Sequence, residues 1–129
     1  MQNVYLFIPA DEQLPCQYVT LERRDLNEQI HRLLNCEIFE CVYLADDLML
    51  IVDEVGKIIS PPKPINLRAS VLYPGFFNSD PIVGDVLVAC EGFYDGEPDI
   101  VPLSQDLIKF FDQWLDPLPA IDPVEEVIL

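Results

Sequence analysis

Few side chains in this sequence have the types and spacing that metal chemistry requires. Residues Asp95 to Asp99 place carboxylates at alternate positions, and Asp106 follows at the twelfth position, which resembles the ligand spacing of a calcium loop. The sixth position, however, is Ile100 and not glycine, and the twelfth is Asp and not a bidentate Glu. Prolines stiffen the segment further. We therefore expect a solvated acidic loop here and predict no metal site.

Two pairs of acids, Asp46-Asp47 and Asp53-Glu54, are the next candidates for acid–base chemistry. General acid–base catalysis needs two carboxylates in one cleft with separated pKa values. These pairs lie at opposite ends of one predicted strand, about 16 Å apart at the usual rise per residue. We expect them to form turns and not a catalytic centre.

The cysteine and histidine residues also give little indication of a metal-binding or nucleophilic site. No two cysteines form a CxxC pair, no cysteine lies in a known nucleophile signature, and one histidine cannot complete the usual zinc ligand sets. His31 lies on the surface of a predicted helix, and no glycine-rich phosphate loop is present. The sequence predicts no cofactor and no enzymatic activity, and it predicts free thiols at the four cysteines, Cys16, Cys36, Cys41 and Cys90.

Asn66 and Arg68 follow a proline-rich extended segment and form an unusual polar pair. Arg68 either pairs with a neighbouring acid or holds an anionic ligand bidentately, and the abundance of acids favours the internal salt bridge. A second candidate is the apolar face of the last predicted helix, which supports dimerisation or partner docking. The predicted interaction residues are Asn66, Arg68, Phe110, Phe111 and Trp114.

A small set of elements must position these side chains. Asp25 and Glu28 fit a capping box at the start of a helix that ends near Asn35. A second helix begins after Ser104 and ends at Pro117. Residues 91–102 are predicted to be a loop, and a helical turn fits residues 66–70. Strands are predicted at residues 4–8, 17–21, 38–44, 48–52 and 82–90, of which the third and fourth form a hairpin.

This pattern predicts an α+β fold with a small, mainly antiparallel sheet of about five strands and one or two helices. Residues 1–103 form the predicted core domain. Residues 104–129 form a C-terminal amphipathic helix and an acidic, proline-containing tail that we expect to pack on the core. Gly84, within the last predicted strand, indicates a bulge or a close backbone approach.

Composition limits the classes of partner. The chain has 129 residues, 23 acids against 7 Lys and Arg, a net charge of −16, and 50% hydrophobic residues. That apolar fraction excludes a wholly disordered acidic chain, and the charge argues against direct nucleic-acid or membrane binding. The net negative charge concentrates toward the C-terminus, since residues 80–129 contain 12 acids and Lys109 as their one basic side chain. Without an evident signal peptide, we expect a cytoplasmic protein.

Segments within residues 26–57, 65–70 and 80–86, taken in order, form a pattern that goes beyond single elements. This pattern resembles a family of small uncharacterised domains found in phage, plasmid and other bacterial mobile-element proteins. The resemblance covers roughly residues 4–90 and implies a small α/β fold with no known activity, with some association with antirestriction contexts. The segments that carry it are residues 26–35, 41–52, 53–57, 65–70 and 80–86.

Three functions remain open from the sequence. The first is a non-catalytic accessory or protein-interaction domain that binds a protein partner or a second copy of itself. The second is an acidic nucleic-acid mimic, or an antirestriction-type inhibitor of a DNA-binding protein. The third is a small enzyme whose site has no recognised pattern.

Overall fold

An antiparallel sheet of six strands organises the chain, with helices on both of its faces. A computed structural model describes residues 3–45, 47–73 and 80–115. The strands are β1 (Val4–Ile8), β2 (Gln17–Thr20), β3 (Phe39–Tyr43), β4 (Leu48–Asp53), β5 (Val86–Tyr94) and β6 (Glu97–Val101). The helices are α1 (Leu26–Leu34), α2 (Leu67–Ser70) and α3 (Gln105–Leu115).

The long strand β5 lies at the centre of the sheet. The strand order is β2-β1-β5-β4-β3, and β6 pairs with β5 as well. On one side of β5, β1 pairs with its first residues and β6 with its last ones, so that β6 ends where β1 begins. The other side of β5 pairs with β4. The predicted α+β class is confirmed, and the described residues form six strands and three helices.

Residues 91–102, predicted to be a loop, instead contain the second half of β5 and the whole of β6. Asp95 and Gly96 form the turn between them, with φ of 55° and 81°. Asp-Gly is a preferred pair for a two-residue hairpin turn, because both positions need a left-handed backbone. Glu91 and Gly92 within β5 interrupt the apolar alternation by which a strand is recognised. The spacing of the carboxylates in the hairpin resembles that of a calcium loop.

Alternation along the strands divides the core into two layers. On one face, β4 and β5 direct Ile51, Leu87 and Ala89 toward the apolar side of α1. On the other face, Leu50 and Val88 belong to the cluster that contains Phe111 of α3. Because both faces of β4 and of the first half of β5 are buried, these segments are almost continuously apolar.

The first helix has the predicted extent but not the predicted cap. Asp25 has a left-handed backbone, with φ of 61°, and its side chain makes no capping hydrogen bond. Gln29 instead joins the helix to the segment before it, because its Oε1 accepts from the Glu22 amide at 3.0 Å and its Nε2 donates to the Glu22 carbonyl at 2.8 Å. These bonds hold the chain before the helix and do not cap the amides of its first turn.

Gly84 lies just before β5, where it has φ of 79°. A Cβ at this position would lie 3.0 Å from Cδ of Lys63, so the predicted close approach occurs at the entry to the strand. The predicted acidic tail, residues 117–129, lies outside the described residues. Among the described helices, none is long and apolar enough to cross a membrane.

Candidate functional site

Asn66 caps the short helix α2 from a fully buried position. Its Nδ2 donates to the carbonyls of Ile8 and Gly84, at 2.8 and 2.9 Å, and its Oδ1 accepts from the Ala69 amide at 3.0 Å. Both polar atoms of the amide are therefore used to join β1, the entry to β5 and α2. This side chain holds the core together and is not accessible to a partner.

Arg68 binds main-chain carbonyls and not a carboxylate. Its guanidinium donates to the carbonyl oxygens of Pro9 and Asp11, at 2.8 and 2.9 Å. The internal salt bridge favoured by the sequence is absent from the ion pairs of the described residues. Arg68 thus fastens the connection after β1 to α2, while its buried Nε has no hydrogen-bond partner in the part of the chain described.

The three aromatic residues of α3 differ in exposure. Phe111 is fully buried, Trp114 is half-buried against the same cluster, and Phe110 is 48% exposed. Phe111 makes edge-on contacts with the other two rings, at centroid distances of 5.0 and 5.6 Å. Most of the apolar face of α3 therefore packs on the sheet, and Phe110 is the exposed part of the predicted interaction set.

An open groove of about 660 Å³ brings His31, Cys36, Asp53 and Lys63 together at the C-terminal end of α1. Lys63 Nζ lies 2.8 Å from Asp53 Oδ2 and donates to the carbonyls of Leu34 and Asn35 at 3.0 and 2.9 Å. The ammonium group thus neutralises a buried carboxylate and satisfies the last carbonyls of the helix.

His31 and Cys36 do not form a reactive dyad through Nδ1 of His31, because that nitrogen is already engaged by a main-chain oxygen. His31 Nδ1 pairs with the main-chain oxygen of Cys36 at 3.1 Å, and the His31 ring packs on Phe39. Burial raises the pKa of the Cys36 thiol, and the nearby Asp53 carboxylate raises it further, against the opposing effect of Lys63. The arrangement stabilises the protonated thiol, whereas a nucleophile requires the thiolate.

The edge strand β3 presents unpaired backbone groups, a feature that sequence analysis missed. The Leu44 amide donates to Leu48, and the Glu54 amide donates to Ile38, at the two ends of the β3–β4 hairpin. In an antiparallel ladder, residues alternate between facing their partner strand and facing away. The even-numbered residues of β3 therefore bond to β4, and the odd-numbered residues direct their amides and carbonyls outward; these are Phe39, Cys41 and Tyr43.

These outward groups have no hydrogen-bond partner among residues 3–45, 47–73 and 80–115. The exposed edge of β6 has fewer free backbone groups than the edge of β3, because Pro98 has no amide hydrogen and the Ile100 carbonyl accepts from Arg23. The Ile100 amide bonds to the carboxylate of Asp99.

Proline and charged side chains are common protections of edge strands; β3 contains no proline or lysine, and Glu40 is its one charged residue. The other terminal strand, β2, is uncharged, but it directs backbone groups outward at two residues, Tyr18 and Thr20, against three in β3.

Two exposed acidic side chains lie near the free edge of β3 on one face of the sheet. Glu40 and Glu54, both exposed, line a small cavity of about 120 Å³ beside it. That cavity also contains Lys57, which is paired with Asp80. Glu40 and Glu54 have no basic partner among the described residues. Burial raises the pKa of the Cys41 thiol, and the negative charge of Glu40 is the next largest cause.

Sequence patterns could have indicated part of this site. The hairpin prediction placed β3 beside β4, but the sheet position of β3 depends on β5, which arrives much later in the chain. Metal-ligating side chains show no comparable grouping, since no three His, Cys, Asp or Glu residues converge to hold an ion within the described ranges.

Comparison with known proteins gives one match. A family model described as a domain of unknown function, DUF3846, matches residues 4–116. This match extends past the resemblance at residues 4–90 and includes β6 and α3. No curated protein and no solved structure matches the chain.

Proposed function

Because the chain belongs to the DUF3846 family of domains of unknown function, we propose a function from its own geometry: it is a non-catalytic protein-interaction domain. Its binding element is the free edge of β3, along which a partner protein adds an extended segment as a further strand. The observation that carries this proposal is the row of outward backbone groups at Phe39, Cys41 and Tyr43.

Strand addition at this edge forms enough hydrogen bonds to contribute to the free energy of binding. Three outward residues offer three amides and three carbonyls to an added strand. Each hydrogen bond contributes about 1 kcal/mol net when both partners leave water. Ordering an extended segment offsets a large part of this gain, so the side chains beside the edge must contribute as well. Such addition to a sheet edge is an established mode of peptide recognition.

The groove beside α1 supports a structural role better than catalysis. Lys63 uses its ammonium group on Asp53 and on two helix carbonyls, and Cys36 is held as a protonated thiol. A catalytic centre generally contains groups whose protonation state suits proton transfer or nucleophilic attack. These side chains instead stabilise each other and the end of α1.

The placement of exposed acids gives little support to nucleic-acid mimicry. A mimic needs carboxylates spaced along one face, as phosphates are. Exposed acids lie on α1 and α3, on opposite faces of the sheet, and also in the β1–β2 connection and at the β5–β6 turn. Examples are Glu28, Asp112, Glu12 and Asp95. This distribution is typical of solubilising charge.

Affinity capture from an extract of the native host tests the proposal with backbone variants of the edge. Cys41→Pro and Tyr43→Pro each remove one outward amide, whereas Cys41→Ala changes the same side chain and keeps the backbone. We expect a partner captured by the wild type and by Cys41→Ala to be lost with both proline variants, provided that circular dichroism shows each variant folded. Retention of every captured protein by both folded proline variants would contradict strand addition at β3.

A further inference from the structure

We infer that the segment added along β3 is amphipathic, with Lys or Arg on the side of Glu40 and apolar residues on the other side. This inference rests on the proposed function, since it specifies the partner of the same edge. It follows from the two different environments that the sheet creates on either side of β3.

The Glu40 side of the edge is acidic. Glu40 and Val42 lie on the same side of the sheet as the cavity of about 120 Å³ that Glu54 also lines. The two basic groups near this end of the sheet are already engaged, Lys57 with Asp80 and Lys63 with Asp53. Glu40 therefore lies beside the added strand and Glu54 lies across the hairpin from Ile38, and neither carboxylate has a basic partner among the described residues.

The register brings a partner side chain close to Glu40. Because Phe39, Cys41 and Tyr43 direct their backbone groups outward, Glu40 falls at a position that does not hydrogen-bond to the added strand. In an antiparallel pair, residues at such positions have their Cα atoms about 4.5 Å apart, closer than hydrogen-bonded pairs. A Lys or Arg opposite Glu40 thus reaches both its carboxylate and the cavity beyond it.

The opposite side of the edge is apolar along Phe39 and Cys41, whereas Glu91 and Asp99 line a cavity beside Tyr43 at the end of the strand. Phe39 and Cys41 pack against the core cluster beneath α1, and Tyr43 is 60% exposed at the end of the strand. An added strand places its alternate residues beside these three side chains. Valine, isoleucine or an aromatic residue at those positions extends the cluster and covers the tyrosine ring. The two sides together specify alternation of basic and apolar residues.

A second copy of this chain fits the edge less well. Two β3 strands paired antiparallel about Cys41 would match their outward groups, with Phe39 opposite Tyr43 of the other copy. That pairing brings Glu37, Glu40 and Glu54 of both copies to one seam, in molecules that each have a net charge of −16. Like charges at a shared interface oppose association, and a basic segment instead gains from the same carboxylates.

The probe is a fluorescein-labelled peptide, Val-Lys-Val-Lys-Val-Lys-Val, whose binding to the full chain is followed by fluorescence anisotropy at low salt. We expect Glu40→Gln and Glu54→Gln each to weaken binding by about threefold, the size of one partly exposed ion pair. Glu12→Gln, in the β1–β2 connection, is the matched control and should bind as the wild type does. Cys41→Pro should abolish binding, and added salt should weaken it.

Alkylation of Cys41 in a variant with the other three cysteines changed to serine gives a second measurement. We expect bound peptide to slow this alkylation, because Cys41 lies in the middle of the covered edge. Equal binding of a Val-Glu peptide, or lysine-peptide binding that Cys41→Pro leaves unchanged, would overturn the inference.

The outcomes separate the inference from the proposed function. If the lysine peptide fails to bind while the proline variants still lose a captured partner, the basic pattern is wrong and strand addition stands. Sedimentation that shows a dimer abolished by Cys41→Pro and strengthened by salt identifies a second copy as the occupant, which overturns the inference. If the lysine peptide binds as expected and the captured partner contains such a segment, both are supported.

Discussion

Individual polar residues hold this fold together by binding main-chain groups. Asn66 joins three separate parts of the backbone, and Arg68 holds the connection after β1 through two carbonyls. A buried polar group that loses its partner is costly because it leaves water without a replacement bond. The two side chains that the sequence indicated as interaction residues thus have internal partners.

Replacement of Asn66 tests this role at the residue scale. Asn66→Ala leaves two carbonyls and one amide without their bonds, so we expect the free energy of unfolding to fall by about 3 kcal/mol. Asn27→Ala, at an exposed position of α1, should change it by less than about 0.5 kcal/mol. Urea denaturation measures both, and similar losses for the two variants would argue against the network.

Lys63 and Asp53 form a buried ion pair, and its contribution to the free energy of unfolding depends on the presence of both partners. Their side chains are 18% and 4% exposed, so Lys63→Met leaves a buried charge and should lower the free energy of unfolding by about 3 kcal/mol. Adding Asp53→Asn removes that charge and should restore part of the loss. Lys57→Met breaks an exposed pair and should cost less than about 1 kcal/mol. A double variant less stable than Lys63→Met alone would contradict this account.

At the scale of elements, the two sides of β3 differ in what they require of the backbone. The even-numbered residues complete the β3–β4 ladder, and the odd-numbered residues face away from it. Proline is tolerated in an edge strand where its missing amide hydrogen would face solvent, and it is disruptive where that hydrogen belongs to the ladder. Neighbouring residues of one strand therefore respond differently to the same substitution.

A pair of proline variants tests this register. Cys41→Pro removes an outward amide, whereas Val42→Pro removes the amide that faces Leu50 of β4. We expect Val42→Pro to lower the free energy of unfolding by about 3 kcal/mol more than Cys41→Pro does. Thermal and urea unfolding provide the comparison. A larger loss for Cys41→Pro would show that the register is shifted by one residue.

At the scale of the whole molecule, negative charge greatly exceeds the positive charge available to balance it. The net charge is −16, and the described residues contain four ion pairs. Self-repulsion of this kind keeps a protein soluble but opposes its compact state. The exposed acids should therefore determine how stability responds to ionic strength.

Sodium chloride should stabilise the protein. Raising its concentration from about 20 mM to about 500 mM shortens the Debye length from about 20 Å to about 4 Å, which screens the repulsion between distant acids. We expect the Tm to rise by several degrees in a calorimetric scan. Chloride is the appropriate salt, because sulfate also strengthens apolar burial. A Tm that falls with chloride would mean that attractive ion pairs dominate.

Much of the fold followed from local pattern. The stripe of Leu26, Ile30 and Leu34 predicted α1, and the short polar link at residues 45–47 predicted the β3–β4 hairpin. Capping was harder to predict, since Asp25 has a left-handed backbone and its side chain makes no capping hydrogen bond. The β5–β6 hairpin was missed because its exposed half lacks the apolar alternation by which strands are recognised.

Most of the candidate site could not be predicted from the sequence. Of the predicted interaction residues, Asn66 and Phe111 are buried and Phe110 remains exposed. The free edge of β3 was not predicted, because an edge is a property of the sheet and not of the strand. Nothing in residues 39–43 distinguishes an edge strand from a strand with neighbours on both sides.

The sequence by itself determined the charge, the fold class and the helix and strand types of the strongly periodic segments, because these depend on neighbouring residues and on side-chain period. Only the tertiary structure decided which strands lie at the edges of the sheet and which polar side chains are internal. Both depend on contacts between distant segments, such as β1 with β5 and Asn66 with Ile8. Their pairing leaves β3 with one neighbour among the described residues, and the proposed function depends on that arrangement.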